Sequence, residues 1–371
     1  MSRSIRNPQS AIRNLLVVRT DRMGDVLLST PVLSGLRARF PDSRMTMLVS
    51  PYAREVVDGH PALDEVLVDD EGERHRGLAG FIRLVRTIRQ QRFDAIVILH
   101  PTLRLALLGL LAGIPVRVGS GYRAYGLLFN RRVYEHRKDA RRHEVEYNLR
   151  VAAALGVADV PIPPTIVIPD AARQAIARWL DAGGIGPDEP FVVLHPGSGG
   201  SARSWPASSF AALGSRLIDE GGVRVVLTGG PHERELIESV VGQMQTRPLT
   251  AAGELTIKEL AALLAGCQLC VTNSTGPLHL AAAVGTPTVA LFCPIIPCSP
   301  VRWGPYGEGH RVLMPDVPAC PRCIGTACEY FDCMTRISVD AVYRATREIL
   351  EGMKRRGDVC EPFASSAHRT E

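Results

Sequence analysis

Short β-branched and apolar runs alternate along this chain with stretches whose apolar residues recur at helical spacing. Such runs, bounded by Gly, Pro or Asp, are the signature of buried strands, and the 3.6-residue period between them is that of helices packed on a sheet. In the first half the pattern predicts strands at Asn14–Arg19, Arg44–Ser50, Glu65–Asp69, Asp94–His100 and Val116–Gly119. Helices are predicted between them, near Val26–Phe40, Ala53–Gly59, Leu78–Gln90 and Leu103–Ala112, with a further one from His143 to Leu155. A proline-rich stretch then intervenes, with Pro161, Pro163, Pro164 and Pro169. Proline fixes φ and lacks an N–H, so this stretch is expected to link two domains.

Beyond it the alternation restarts. Strands are predicted at Phe191–His195, Arg224–Thr228, Leu269–Thr272 and Thr288–Phe292. Helices are predicted near Ala171–Asp181, Ser208–Asp219, Glu233–Gln243, Ile257–Ala265, Pro277–Val284 and Val339–Arg355. Strand–helix alternation implies parallel, doubly wound α/β sheets, and ligands bind at the C-terminal ends of their strands. The expected layout is an N-terminal domain over 1–160, a linker over 161–170 and a second domain over 171–337. A C-terminal helix over 338–356, folding back on the first domain, and a disordered tail over 357–371 complete it.

Composition changes this picture little. At 46% hydrophobic and 22% charged, the chain is globular in type and not disordered. The stretch from Leu260 to Val301 carries no Asp, Glu, Lys or Arg, but Gly, Pro, Asn and Ser interrupt it, so it reads as strand, loop and helix in a core. Leu15 to Val18 is too short for a signal peptide, and no apolar run of spanning length exists. A cytoplasmic protein is expected, with peripheral contact at the inner membrane left open. The net charge of +5 is unevenly spread: Arg117 to Arg142 holds eight basic residues against Glu135 and Asp139. That cluster attracts phosphate or acidic sugar, or is a solvated loop. Nothing points to nucleic acid.

Three segments carry candidate chemistry. In NLLVVRTDRMGDVLLSTPVL a strand gives way to a turn at Gly24 and then a helix, with Asp25 at its start. Asp25 is either a helix cap, worth about 1 kcal/mol, or a general base for an acceptor hydroxyl. Asp21 is the rival carboxylate. In FVVLHPGSGGSARSWP a buried strand runs into Gly197, Ser198, Gly199 and Gly200, whose N–H groups can face a diphosphate, and Arg203 adds a fork of donors. In LCVTNSTGPLHLAAAVG a strand ends at Asn273, Ser274, Thr275 and Gly276, and a helix N-terminus there suits an anion. His279 lies one turn further on. Neither a GxxxxGK[ST] loop nor GxGxxG is present, which argues against P-loop and dinucleotide-oxidoreductase chemistry.

Taken together, RTDRMGDVLLSTPVL, LHPGSGGSARSWP, VVLTGGPHERE, NSTGPLHLAAAVGTPTVALF and CPRC–CEYFDCMTRISVDAV resemble glycosyltransferase family 9, the lipopolysaccharide heptosyltransferases. The likeness runs from about Leu15 to Leu350. It implies a GT-B fold, two Rossmann-like domains facing a central cleft, and an inverting transfer that needs no cofactor and no catalytic metal. No DxD motif is present, in keeping with that. It implies Asp25 as catalytic base and Ser198, Gly199, Arg203, Thr228, Gly229, Asn273, Ser274, Thr275, Gly276 and His279 as donor-binding positions. Arg123, Arg131 and Arg132 are the matching candidates for the acceptor. ADP-heptose or a similar nucleotide sugar is the implied donor, and a lipopolysaccharide core the implied acceptor. Ser274 departs from the pattern, because the better-known heptosyltransferases carry an acid there.

Cys320, Cys323, Cys328 and Cys333 are spaced either as a structural Zn²⁺ site or as a loop of free or paired thiols. Two other functions fit part of the pattern: a GT-B-like nucleotide-sugar hydrolase or epimerase, and a non-catalytic nucleotide-sugar binding protein.

Overall fold

The computed structural model describes residues 12–200 and 202–356; the expected disordered tail over 357–371 lies outside the described residues. The chain divides into two compact units, with the boundary between Val167 and Ile168 and only Lys138–Arg141 grouped out of sequence.

The first unit runs β1 (Asn14–Val18), α1 (Met23–Leu27), α2 (Thr30–Arg39), β2 (Arg44–Val49), α3 (Arg54–Val57), β3 (Glu65–Val68), α4 (Gly77–Gln91), β4 (Ala95–Ile98), α5 (Leu103–Leu111), β5 (Val116–Ser120), β6 (Arg131–Val133) and α6 (Glu144–Ala153). Its strands form a parallel sheet of order β3-β2-β1-β4-β5-β6. Val17 of β1 lies in register with Met47 of β2 and Val97 of β4. Both faces of β1 and β4 are buried, which is why these strands read as unbroken apolar runs. The single helix expected over Val26–Phe40 is two, because the chain turns at Leu28–Ser29 and restarts with Pro31 in its first turn.

The second unit runs α7 (Asp170–Ala182), β7 (Phe191–His195), α8 (Ala207–Asp219), β8 (Arg224–Gly229), α9 (Arg234–Val241), β9 (Leu249–Ala252), α10 (Ile257–Gly266), β10 (Leu269–Asn273), α11 (Gly276–Ala283), β11 (Thr288–Leu291), α12 (Pro300–Trp303), β12 (Arg311–Leu313) and α13 (Val339–Arg356). Its sheet order is β12-β11-β10-β7-β8-β9. Counted from its own first strand, that is the same 3-2-1-4-5-6 order as the first sheet. Each unit is thus a Rossmann-like domain, with a switch point where the strand order reverses: β1/β4 in one, β7/β10 in the other. The edge strands β6, β9 and β12 escape sequence reading, being short and partly exposed.

Two expectations need revision. The proline-rich segment is not free as far as Val167: Thr165 donates its N–H to Thr30 Oγ1 at 2.9 Å, and its hydroxyl meets His60 Nε2 at 3.1 Å. The C-terminal helix α13 packs in the core of the second unit. Its buried Val342, Ala345, Ile349 and Met353 recur at helical spacing and meet the apolar surface of α8 and β10.

Trp205 fastens this packing. Its ring is buried edge-on to Phe210 at 5.0 Å, and its indole N–H donates to Ile337 O at 2.8 Å, just before α13. Trp205→Phe removes the bond and leaves a buried carbonyl unpaired, an expected cost of about 1–3 kcal/mol. Trp205→Ala is expected to cost about 3–5 kcal/mol. Urea unfolding followed by far-UV circular dichroism checks both values, and a Trp205→Phe variant as stable as the parent would contradict the hydrogen-bond assignment.

Candidate active site

Each switch point carries one of the candidate clusters. In the first unit, Arg19 follows β1 and is almost completely buried, at 2% exposure. A guanidinium this deep needs counter-charges. Arg19 donates through Nε to Asp21 Oδ1 at 2.7 Å, through Nη2 to Asp25 Oδ1 at 2.5 Å and through Nη1 to Glu144 Oε1 at 3.2 Å. It also reaches Asn148 Oδ1 at 3.1 Å. Glu144, fully buried at the start of α6, takes a second guanidinium from Arg137. Asn148 accepts from Arg137 and donates to Leu28 O and Ser29 Oγ, while Ser29 donates to the backbone oxygen of Asp25. The turn carrying Asp25 is therefore held from both sides. His100, beyond the end of β4, meets Asp21 Oδ2 at 3.4 Å.

Asp25 is not the cap of α1. The helix begins at Met23, with Arg22 at the cap position and Asp25 in the first turn. Its side chain is turned to Arg19 and keeps 17% of its surface exposed. Its pKa is pushed up to about 6. Burial is the main cause; Asp21 and Glu144 add repulsion, and Arg19 pulls the other way. A carboxyl with that value exchanges protons near neutral pH, as a general base must. The pKa of His100 is lowered, mainly by burial, so it is neutral near pH 7.

In the second unit β7 ends at His195, and the loop residues 196–200 and 202–204 follow. Gly200 takes φ +72°, which bends the loop. Gly197 lies so close to Glu233 that a Cβ would sit 2.1 Å from its carboxylate oxygen. Ser198 Oγ accepts from Ser204 at 2.7 Å. Arg203 donates to Phe331 O and lies over the Phe331 ring at 4.7 Å. It lines a recess together with Cys320, Cys323, Cys328 and Cys333. Among the described residues no three His, Cys, Asp or Glu side chains converge to hold a metal ion. The four cysteines are therefore not arranged as the zinc site that their spacing allowed. At the end of β10, Ser274, Thr275 and Gly276 are partly exposed where α11 begins.

The remaining donor candidates divide. Asn273 is buried, accepts from Trp205 N–H at 2.9 Å and donates to Pro196 O at 2.8 Å. It ties the loops that follow β7 and β10 together. Thr228 is buried with its hydroxyl 3.0 Å from His195 Nδ1, and Gly229 makes room for Ile237. His279 is buried on α11, 6.3 Å from the Trp303 ring. Of the basic candidates for the acceptor, Arg131 donates to Ala154 O and Arg132 to Phe129 O, and both Arg123 and Arg132 are exposed.

Comparison with known proteins agrees with this geometry. The family model described as glycosyltransferase family 9 (heptosyltransferase) matches residues 81–329. The chain belongs to glycosyltransferase family 9. It is 30% identical to lipopolysaccharide heptosyltransferase 3 of Escherichia coli, over 72% of this chain and 80% of that one. A solved family 9 glycosyltransferase from Veillonella parvula superposes with a TM-score of 0.81 at 27% identity, over 92% of this chain and 98% of that one. An E. coli ADP-heptose lipopolysaccharide heptosyltransferase II gives 0.75 at 26%, over 92% and 99%. The protein is thus a glycosyltransferase, and its two Rossmann-like domains are those of the GT-B fold. The hydrolase, epimerase and binding-protein alternatives are not favoured.

Sequence reading missed Arg19, Glu144 and Asn148 in this transferase. Glu144 lies 125 positions from Arg19, and no local pattern marks it. The faint signal for Arg19 is a charge closing a wholly apolar strand. Side-chain carboxyl NMR is expected to titrate Asp25 with a midpoint near 6. Glu144→Gln removes a like charge and relieves Arg19 of a competitor, so the midpoint should fall. A midpoint that stays put or rises contradicts the network described above.

Proposed function

We propose that the protein transfers a heptose from ADP-heptose to a lipopolysaccharide core, with inversion, without a metal, and with Asp25 as general base. The observation that carries the base assignment is the Asp25 carboxyl, partly exposed at the first switch point and raised to about 6. The donor and acceptor classes rest on the relatives, among them an E. coli enzyme named for ADP-heptose and lipopolysaccharide. In the proposed step the acceptor hydroxyl gives its proton to Asp25 while its oxygen attacks the anomeric carbon. The bond from that carbon to the diphosphate oxygen breaks, and ADP leaves with the electron pair.

The leaving diphosphate gains charge, which preorganised donors stabilise. In this proposal those donors are N–H groups of the Ser198–Gly200 loop, Arg203, and the α11 N-terminus with Ser274, Thr275 and Gly276. Thr228, Gly229, Asn273 and His279 shape the site from beneath. Arg123 is the acceptor candidate best placed to meet an anionic core sugar, because Arg131 and Arg132 already donate to backbone oxygens. With Ser274 in place of an acid, the donor sugar is held near Ser274 by hydroxyl bonding rather than by charge.

Asp25→Asn is expected to lower kcat by about 10²–10⁴-fold. It should leave ADP binding intact: ADP at about a hundred times its Kd stabilises by roughly 2.7 kcal/mol, which a thermal-shift assay reads in parent and variant alike. Transfer is measured as ADP release that depends on added acceptor, with excess EDTA present. Full transfer by Asp25→Asn overturns the base assignment. Loss of transfer in EDTA overturns metal independence. The absence of any shift with ADP overturns the donor.

A further inference from the structure

We infer that the α4–α5 side of the first unit is a docking surface for an anionic phospholipid bilayer. The inference does not depend on which sugar is transferred. Between residues 74 and 134 the chain has eleven arginines and a single acid, Asp94. That acid is turned inward and accepts the N–H groups of Arg13 and Asn14, both at 2.8 Å. Arg104 is paired with Asp69, and Arg117 bonds the carbonyls of Leu128 and Ile114. Arg76, Arg83, Arg86, Arg89 and Arg92 are exposed.

Apolar side chains stand among them. On α4, Leu78 is 75% exposed and Ile82 is also exposed. Leu78, Ile82, Arg86 and Arg89 fall at i, i+4, i+8 and i+11, within one narrow stripe of the helix. The opposite face, with Leu84 and Ile88, is buried in the core. On α5, Leu103, Leu110 and Leu111 are exposed along one side. The 3-10 turn Ala124–Leu128 presents Leu127, 73% exposed. These elements are neighbours: α5 packs against α4 and against that turn, and Arg104 lies over the Phe81 ring at 5.4 Å.

Isolated surface leucines are ordinary, but a group of them on three adjacent elements marks an interaction surface. Aliphatic side chains framed by arginine, with Glu71 (3.9 Å from Arg104) and Glu73 the exposed acids at the α4 end, match a bilayer interface, where leucines enter the acyl boundary and guanidinium groups meet lipid phosphates. A protein partner would favour aromatic anchors, and the exposed apolar groups on these three elements are aliphatic. Among the described residues no helix is long and apolar enough to cross a membrane, so the contact lies on the surface of the bilayer.

The test is co-sedimentation of the full chain with vesicles of phosphatidylglycerol and phosphatidylethanolamine, against vesicles of phosphatidylcholine alone. Binding is expected to be at least about tenfold tighter to the anionic vesicles and to weaken as salt is raised. The triple variant Leu103→Ser, Leu111→Ser, Leu127→Ser and the double variant Arg86→Gln, Arg89→Gln should each lose about tenfold. Both should keep the parent's thermal midpoint, since every altered side chain is exposed. Equal binding to both vesicle types, or variants that bind like the parent, would overturn the inference. So would a triple variant that only breaks up a homodimer in analytical ultracentrifugation, because the face would then be a self-association surface.

Discussion

The reversal of strand order in each parallel sheet is the constraint on which the rest of the molecule depends. Crossovers are right-handed, so connections leaving adjacent central strands in opposite directions part company at the strand C-termini. The crevice so formed lies beside β1 and β4 in the first unit and beside β7 and β10 in the second. The loops that carry candidate chemistry leave those same strands: Arg19 to Asp25 after β1, residues 196–200 and 202–204 after β7, and Ser274 to Gly276 after β10. One topological rule, used twice, gives the transferase a carboxylate on one domain and a group of N–H and hydroxyl donors on the other.

Within the first crevice, charge is balanced at close range. Three carboxylates and two guanidinium groups are gathered in a largely buried cluster, and each acid has an arginine against it. A buried arginine alone would be strongly destabilising, and so would Glu144 alone. Their mutual neutralisation lets Asp25 be charged at neutral pH while burial keeps its proton affinity high. Arg19 also fixes where that carboxylate sits, since its guanidinium is anchored independently by Asp21 and Glu144.

The second crevice shows a division of labour among polar residues that look alike in the sequence. Asn273 and Thr228 are buried and hold Trp205, Pro196 and His195 in place, whereas Ser274, Thr275 and Gly276 stay partly exposed. Arg203 is drawn to Phe331 in the cysteine-bearing segment, so the geometry of that segment and of the loop after β7 are joined. Trp205 extends the same linkage into α13 through Ile337.

The sequence by itself determined the α/β class, most central strands and helices, the segments that bear the chemistry, and the resemblance to family 9. These are legible because buried strands and amphipathic helices impose their periods locally, and because turns at strand ends demand Gly, Ser, Asn and Asp nearby in sequence. Tertiary structure decided the rest. It paired Arg19 with Glu144 across 125 positions, moved Asp25 from cap to ion pair, assigned Asn273 to the scaffold, and placed α13 on the second domain. Each of these depends on which groups lose water together, and that is set by contacts distant in the chain rather than by any local pattern.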